Sequence, residues 1–206
     1  MKNPMKLRAT LPALALASLS SLAHAEDPPG RNWVFLADAQ GSLAFASGYP
    51  NDIQKIGDPL ALTTTGASGG GGGTFAALAS LHPRVAFGLF GSYGVALNGT
   101  YRSSAAGGGL RVELLPFSEG WLAPLGLHGS FGVGTATAER RDGVGDTAGT
   151  TQSLVAVGAF RDMPLATFES SRLTWGPTAG YSVVFSRDFA RHSADLGLRL
   201  TWVTNP

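Results

Sequence analysis

The sequence predicts an all-β chain: an eight-stranded antiparallel up-and-down barrel that crosses a membrane, preceded by a cleaved signal peptide. Three observations lead there. The first residues have the layout of an export signal. The rest alternates bulky apolar with small or polar residues at period two. The tryptophans sort to one level of the strands so defined.

Lys2, Lys6 and Arg8 form a positive start, Leu11 to Leu22 an apolar stretch, and Ala23-His24-Ala25 a small-residue cleavage site before Glu26. The apolar stretch is short of the roughly 20 residues a membrane helix needs, so 1–25 reads as a signal peptide and 26–206 as one domain. Of 15 Lys+Arg, three lie in that signal, leaving twelve against 14 Asp+Glu. Nothing basic remains to suggest a nucleic-acid partner. With no cysteine, disulfides, thiolate zinc sites and thiol nucleophiles are excluded.

The strands follow in order. In the first, Trp33, Phe35, Ala37, Ala39, Leu43 and Phe45 oppose Asn32, Asp38, Gln40 and Ser42. The second, about 73–81, is blurred by alanines. The third is the clearest: Val85, Phe87, Leu89, Tyr93, Val95 and Leu97 against Ala86, Gly88, Phe90, Ser92, Gly94 and Ala96. The fourth sets Leu110, Val112 and Leu114 against Gly109, Arg111 and Glu113. The fifth sets Leu125, Leu127, Phe131 and Val133 against Gly126, His128, Ser130, Gly132 and Gly134. The sixth, about 151–160, again has blurred parity. The seventh sets Leu173, Trp175, Ala179, Tyr181, Val183 and Phe185 against Thr174, Gly176, Thr178, Gly180, Ser182 and Val184. The eighth sets Leu196, Leu198, Leu200 and Trp202 against Asp195, Gly197, Arg199 and Thr201.

At one end the connections are His82-Pro83-Arg84, 116–120 and a link holding Asp162 and Pro164. At the other, longer polar loops are expected at 46–72, whose end Gly69 to Gly73 reads as a flexible loop or a strand start, and at 98–105, 138–149 and 186–192. A soluble sheet would put a charged face in water. Here the face opposite the bulky one is mostly Gly, Ser, Thr and Ala, which suits a narrow barrel interior, with lipid against the bulky face. Trp33, Trp121, Trp175 and Trp202 fall at one rim, while Phe45, Tyr181 and Phe185 lie toward the other, as two interfacial girdles would.

With these features the chain resembles the small outer-membrane barrels of the OmpA transmembrane-domain and OmpX type. The resemblance covers about residues 31–203 and is one of pattern; Arg84-Val85-Ala86-Phe87-Gly88-Leu89 after a His-Pro turn is typical of it. It implies a monomer in the outer membrane of a Gram-negative-type bacterium, with lipid and lipopolysaccharide around it and the barrel assembly machinery as a partner during biogenesis. It also implies that Trp33, Trp121, Trp175 and Trp202 mark the periplasmic rim. Members often end on an aromatic residue; here Trp202 is followed by Val203-Thr204-Asn205-Pro206.

Asp38, Arg111, Glu113, Asp195 and Arg199 all take the lumen parity, and charges in a narrow lumen must pair or hydrate. By the resemblance they plug it. With Trp33 and Trp202 at one level, Leu36 is expected opposite Arg199 and Asp38 opposite Gly197. Asp38 and Arg199 are then diagonal neighbours that pair across the seam, with Arg111 the next partner for Asp38. No catalytic, metal or cofactor site is read. His128 and Ser130 with Glu139 could suggest a lipid A deacylase, but the pair faces the lumen rather than lipid. The expected role is structural or surface interaction; the alternatives are a narrow solute channel and the lipid-modifying enzyme. An arginine at Gly48, in the first outer loop, is expected to be nearly silent, and an insertion between Gly66 and Ala67 to be tolerated.

Overall fold

The computed structural model describes residues 33–204; the signal segment 1–25 and Asn32 lie outside the described residues. Ten strands follow in order: β1 (Trp33–Gly48), β2 (Thr63–Thr64), β3 (Ser68–His82), β4 (Val85–Leu97), β5 (Tyr101–Leu114), β6 (Leu125–Arg140), β7 (Ala148–Arg161), β8 (Met163–Phe168), β9 (Ser171–Phe185) and β10 (Phe189–Thr204). β2 is a short piece of the first loop paired to β1. β8 continues the line of β7 along β9 after a break in the pairing. The wall therefore has eight positions, each antiparallel to the next, and β10 pairs with β1 to close it.

Closure leaves no strand edge to satisfy in lipid. It also fixes the stagger. Following directly paired residues from Ala37 through Phe75, Gly91, Gly108, Val133, Ser153, Phe185 and Ala190 returns to β1 at Ser47, ten residues further on. With a rise of about 3.3 Å per residue and about 4.8 Å between strands, that stagger tilts the strands by about 40°.

The alternation read from sequence is the alternation of the wall. Phe75, Leu89 and Leu196 point outward and are 59%, 66% and 70% exposed. A row of such residues has no partner within the chain, and lipid is the solvent that accepts it. The inner face is small or polar at mid-height, as expected, but the end where β1 starts is filled by Val34, Leu36, Leu78 and Val203, all fully buried.

The loops depart from expectation. Of the two readings of Gly69 to Gly73 the strand start holds: the run opens β3, paired on one side to β1 and on the other to β4. Residues 101–105, 138–140, 148–149 and 189–192 are also strand, so the turns at 98–100 and 186–188 are short. Hydrophobic alternation marks only the lipid-facing band, whereas the backbone ladder continues above it. The first loop, 49–67, does stand out. Pro50 bridges to Ala148 of β7, and Lys55 pairs with Asp146, which ties this loop over the barrel mouth to the loop 141–147.

Two positions change role. Gly48 ends β1 with φ of 153°, and a Cβ there would lie 2.4 Å from the Asp188 carbonyl oxygen. Gly48→Arg is therefore not silent; it is expected to lower the yield of folded barrel, read as loss of the compact unboiled band on a gel. Residues 65–68 are not a free loop tip either. Thr65 is buried, the Ala46 amide donates to its Oγ1 at 2.9 Å, and Asn98 Nδ2 donates to its carbonyl at 2.6 Å. The tolerant insertion point moves from Gly66–Ala67 to the exposed Pro59–Leu60.

Candidate functional site: a cross-braced lumen

β5 and β10 stand four positions apart in the ring of eight, so they face each other across the full lumen. Arg199 of β10 reaches over and forks onto Glu113 of β5, Nη1 to Oε1 at 2.6 Å and Nη2 to Oε2 at 2.7 Å. Paired parallel N–H···O bonds of this kind are the strongest geometry available to an arginine and a carboxylate. Arg111, two residues before Glu113 on the same inner face, donates from Nε to Oε1 at 3.0 Å. Arg199 Nε also donates to Thr201 Oγ1 at 2.8 Å and lies 3.3 Å from Asp162 Oδ1. Its guanidinium carbon sits 3.8 Å from the centre of the Phe160 ring. Arg111, Glu113 and Arg199 are all buried, so this is a desolvated cluster in which two cations meet two carboxylates.

A second brace joins the same two strands nearer the loop end: Arg191 of β10 is buried and donates from Nε to Ser103 Oγ of β5 at 2.9 Å. Between the braces lies a cavity of 70 Å³, lined by Asp38, Ser42, Ser92, His128, Ser182 and Asp195 among others. That is room for a few waters among polar groups.

Of the five charges expected in the lumen, Arg111, Glu113 and Arg199 meet directly. Asp38 faces inward but accepts the Thr74 amide at 2.9 Å, and Asp195 accepts from Ser193 Oγ at 2.7 Å. The seam register differs from expectation by two residues. Phe35, not Trp33, lies near the level of Trp202 and directly opposite it, which sets Asp38 opposite Arg199 and Leu36 opposite Thr201. The expected seam pair does not form, because Arg199 points across the barrel to Glu113 rather than along the wall.

Two members were not legible. Asp162 stood in an expected turn, but it is where β7 breaks. Its amide donates to the Pro124 carbonyl at 3.0 Å and its carboxylate turns inward to Arg199. Gly176 of β9 permits this, since a Cβ there would lie 1.6 Å from the Arg161 carbonyl oxygen. Arg191 stood in an expected loop; its parity with Asp195 and Arg199 was the available signal. His128 and Ser130 do face the lumen, with His128 stacked on Phe160 at 6.4 Å. Glu139 lies on the outer wall near the far end of β6, paired with Arg102, so the three do not assemble. Among the described residues no three metal-ligating side chains come together.

The four tryptophans are exposed at the end where β1 begins and β10 ends. Trp33 stacks with Phe35 at 6.2 Å, Trp175 lies opposite Leu200, and Trp121 sits on the Gly120–Leu122 turn rather than on a strand. At the other end Phe45 stacks on His192 at 4.6 Å, and the Tyr181 hydroxyl lies 2.6 Å from His192 Nδ1. At the end of β6, Arg140 grips Asp142 of the following loop and holds its carboxyl below the usual range.

No family model and no curated protein matches the chain. Solved structures do. The attachment invasion locus protein Ail of Yersinia pestis, crystallised with the heparin analogue sucrose octasulfate, is 9% identical. That alignment covers 83% of this chain and 99% of Ail, with a TM-score of 0.51. The N-terminal β-barrel domain of Pseudomonas aeruginosa OprF is 14% identical over 84% of this chain and 98% of that one, with a TM-score of 0.44. Neisserial surface protein A is 13% identical over 81% and 96%, with a TM-score of 0.41. The lipid-ready wall, the closed ring and the filled lumen together give this chain the fold of the small eight-stranded outer-membrane β-barrels.

Proposed function

We propose that the protein is a plugged outer-membrane barrel of a Gram-negative-type bacterium, exported by the signal at 1–25, that acts as a structural and surface-interaction element rather than as a channel or an enzyme. The observation that carries this is the pair of braces from β10 to β5, Arg199–Glu113 and Arg191–Ser103, set across a lumen that an eight-stranded ring already leaves just wide enough for side chains. What such a molecule can offer a partner is its outer wall and the loops at its mouth, above all 49–67.

Membrane fractionation with unboiled and boiled gels tests the location: the chain belongs in the outer-membrane fraction and migrates differently when boiled. Planar bilayers test the plug. The intact barrel gives no steady conductance, and a robust open channel in the unmodified protein refutes the structural role.

Topology has its own test. An epitope inserted between Pro59 and Leu60 is expected to be reached by antibody on intact cells, whereas one at His82-Pro83 is reached only after the outer membrane is opened. The reverse pattern inverts the orientation.

A further inference from the structure

We propose that the outer wall of β4–β6 carries a binding site for a phosphorylated glycolipid of the outer leaflet, with Arg102, Arg140 and Arg141 holding the phosphate and a trough along β5 taking an acyl chain. The proposal rests on the outer-membrane reading above and names a partner for it.

A groove of 490 Å³ opens on the wall at the loop end, lined by Val95, Leu97, Arg102, Glu139, Arg140 and Arg141 with Gly143. Leu97, Arg102 and Glu139 are cross-strand neighbours in one row, and Val95 lies in the row nearer the membrane band. In that next row Val95 is level with Ser104 and Thr137, so the guanidiniums stand at the loop end and small or apolar side chains lie on the membrane side of them.

The rim has donors to give. Arg102 lies 3.7 Å from Glu139, beyond hydrogen-bond reach, and both are about half exposed. Arg141 uses Nη1 on the Asn98 carbonyl at 3.2 Å, and Arg140 is held by Asp142. Three guanidiniums thus face two carboxylates, and a phosphate supplies the missing anion in the planar, bidentate form arginine favours.

Below the rim the outward side chains of β5 become small: Ser104, Ala106, Gly108. Their neighbours on β4 are Val95, Tyr93 and Gly91, and on β6 Thr137, Thr135 and Val133. Tyr93 and Val133 are exposed and stand on either side of this lane, which runs for about 13 Å before Leu110 closes it between Leu89 and Phe131. A soluble polyanion would use the arginines and leave the lane empty. A lipid with a phosphorylated sugar headgroup fills both, and the lane leads from the cationic rim down into the apolar band, as an acyl chain must.

The test uses the full chain refolded in detergent and titrated with bisphosphorylated lipid A, its dephosphorylated form, its deacylated phosphosugar and phosphatidylglycerol, read by native mass spectrometry. Bisphosphorylated lipid A is expected to bind best, and removing its phosphates or making Arg102→Glu with Arg141→Glu to weaken it by about tenfold or more. Ala106→Phe, which fills the lane, is expected to weaken lipid A while leaving the phosphosugar unchanged. Arg187→Glu, on the far side of the rim, is the control and changes nothing. Equal binding of phosphatidylglycerol or dephosphorylated lipid A overturns the proposal, as does unchanged binding in the double variant or in Ala106→Phe. The unboiled gel shift, run on each variant, keeps the two claims apart. A barrel that folds and enters the outer membrane yet shows no preference for lipid A refutes the lipid site alone.

Discussion

Glu113→Leu is expected to be the most damaging single change in the lumen, lowering stability by about 3–5 kcal/mol in urea unfolding from lipid vesicles. The carboxylate serves two buried guanidiniums at once, those of Arg111 and Arg199. Its loss leaves like charges facing each other away from water. Arg199→Leu should cost less, because Arg111 stays on Glu113. Asp38→Ala removes a carboxylate that accepts one backbone amide, so a loss of about 1 kcal/mol is expected. Replacing Arg111, Glu113 and Arg199 together with leucine or methionine should recover much of the loss, since a buried ionic cluster contributes little beyond an apolar one of equal volume. If Glu113→Leu costs no more than Asp38→Ala, the cross-brace is not what holds the lumen.

Leu89→Arg is expected to cost about 2–4 kcal/mol and to assemble poorly, because its outward side chain lies within the apolar band and an arginine at the midplane must drag water or headgroups inward. Leu89 is level with Ala77 and Leu110 on the neighbouring strands, apolar residues that offer no polar shelter. Ser92→Arg meets a different obstacle: it points into the 70 Å³ cavity lined by Arg111 and Arg191 as well as Asp38 and Asp195, which has no room for a further long side chain. The two defects separate in detergent. The wall variant should fold in a micelle whose headgroups can reach the arginine, whereas the lumen variant should fail there as well. Identical behaviour in lipid and detergent would mean that the two positions do not face different solvents.

Parity made the wall legible. Where one face meets lipid and the other a narrow lumen, a shift of a single residue inverts every side chain. Alternation in 84–97 or 173–185 therefore determined which residues face out, and with them the eight-position ring and the inward direction of Asp38, Arg111, Glu113, Asp195 and Arg199. Parity is blind to translation along the strand by two. That is why the Trp33–Trp202 match put Leu36, rather than Asp38, opposite Arg199. It is also blind to the far side of the lumen. The partnership of Arg199 with Glu113 depends on ring size and stagger, which bring β10 and β5 face to face although 86 residues separate the two side chains. Asp162 and Arg191 escaped for a related reason. Each lies where the hydrophobic pattern stops but the backbone ladder or the chain direction still aims the side chain inward, and hydrogen bonding between strands leaves no mark in the order of residues. The sequence by itself thus determined which solvent each face of the wall meets, because burial follows residue chemistry. Only the closed tertiary structure decided which charge meets which, because that depends on distances across the lumen that no local pattern encodes.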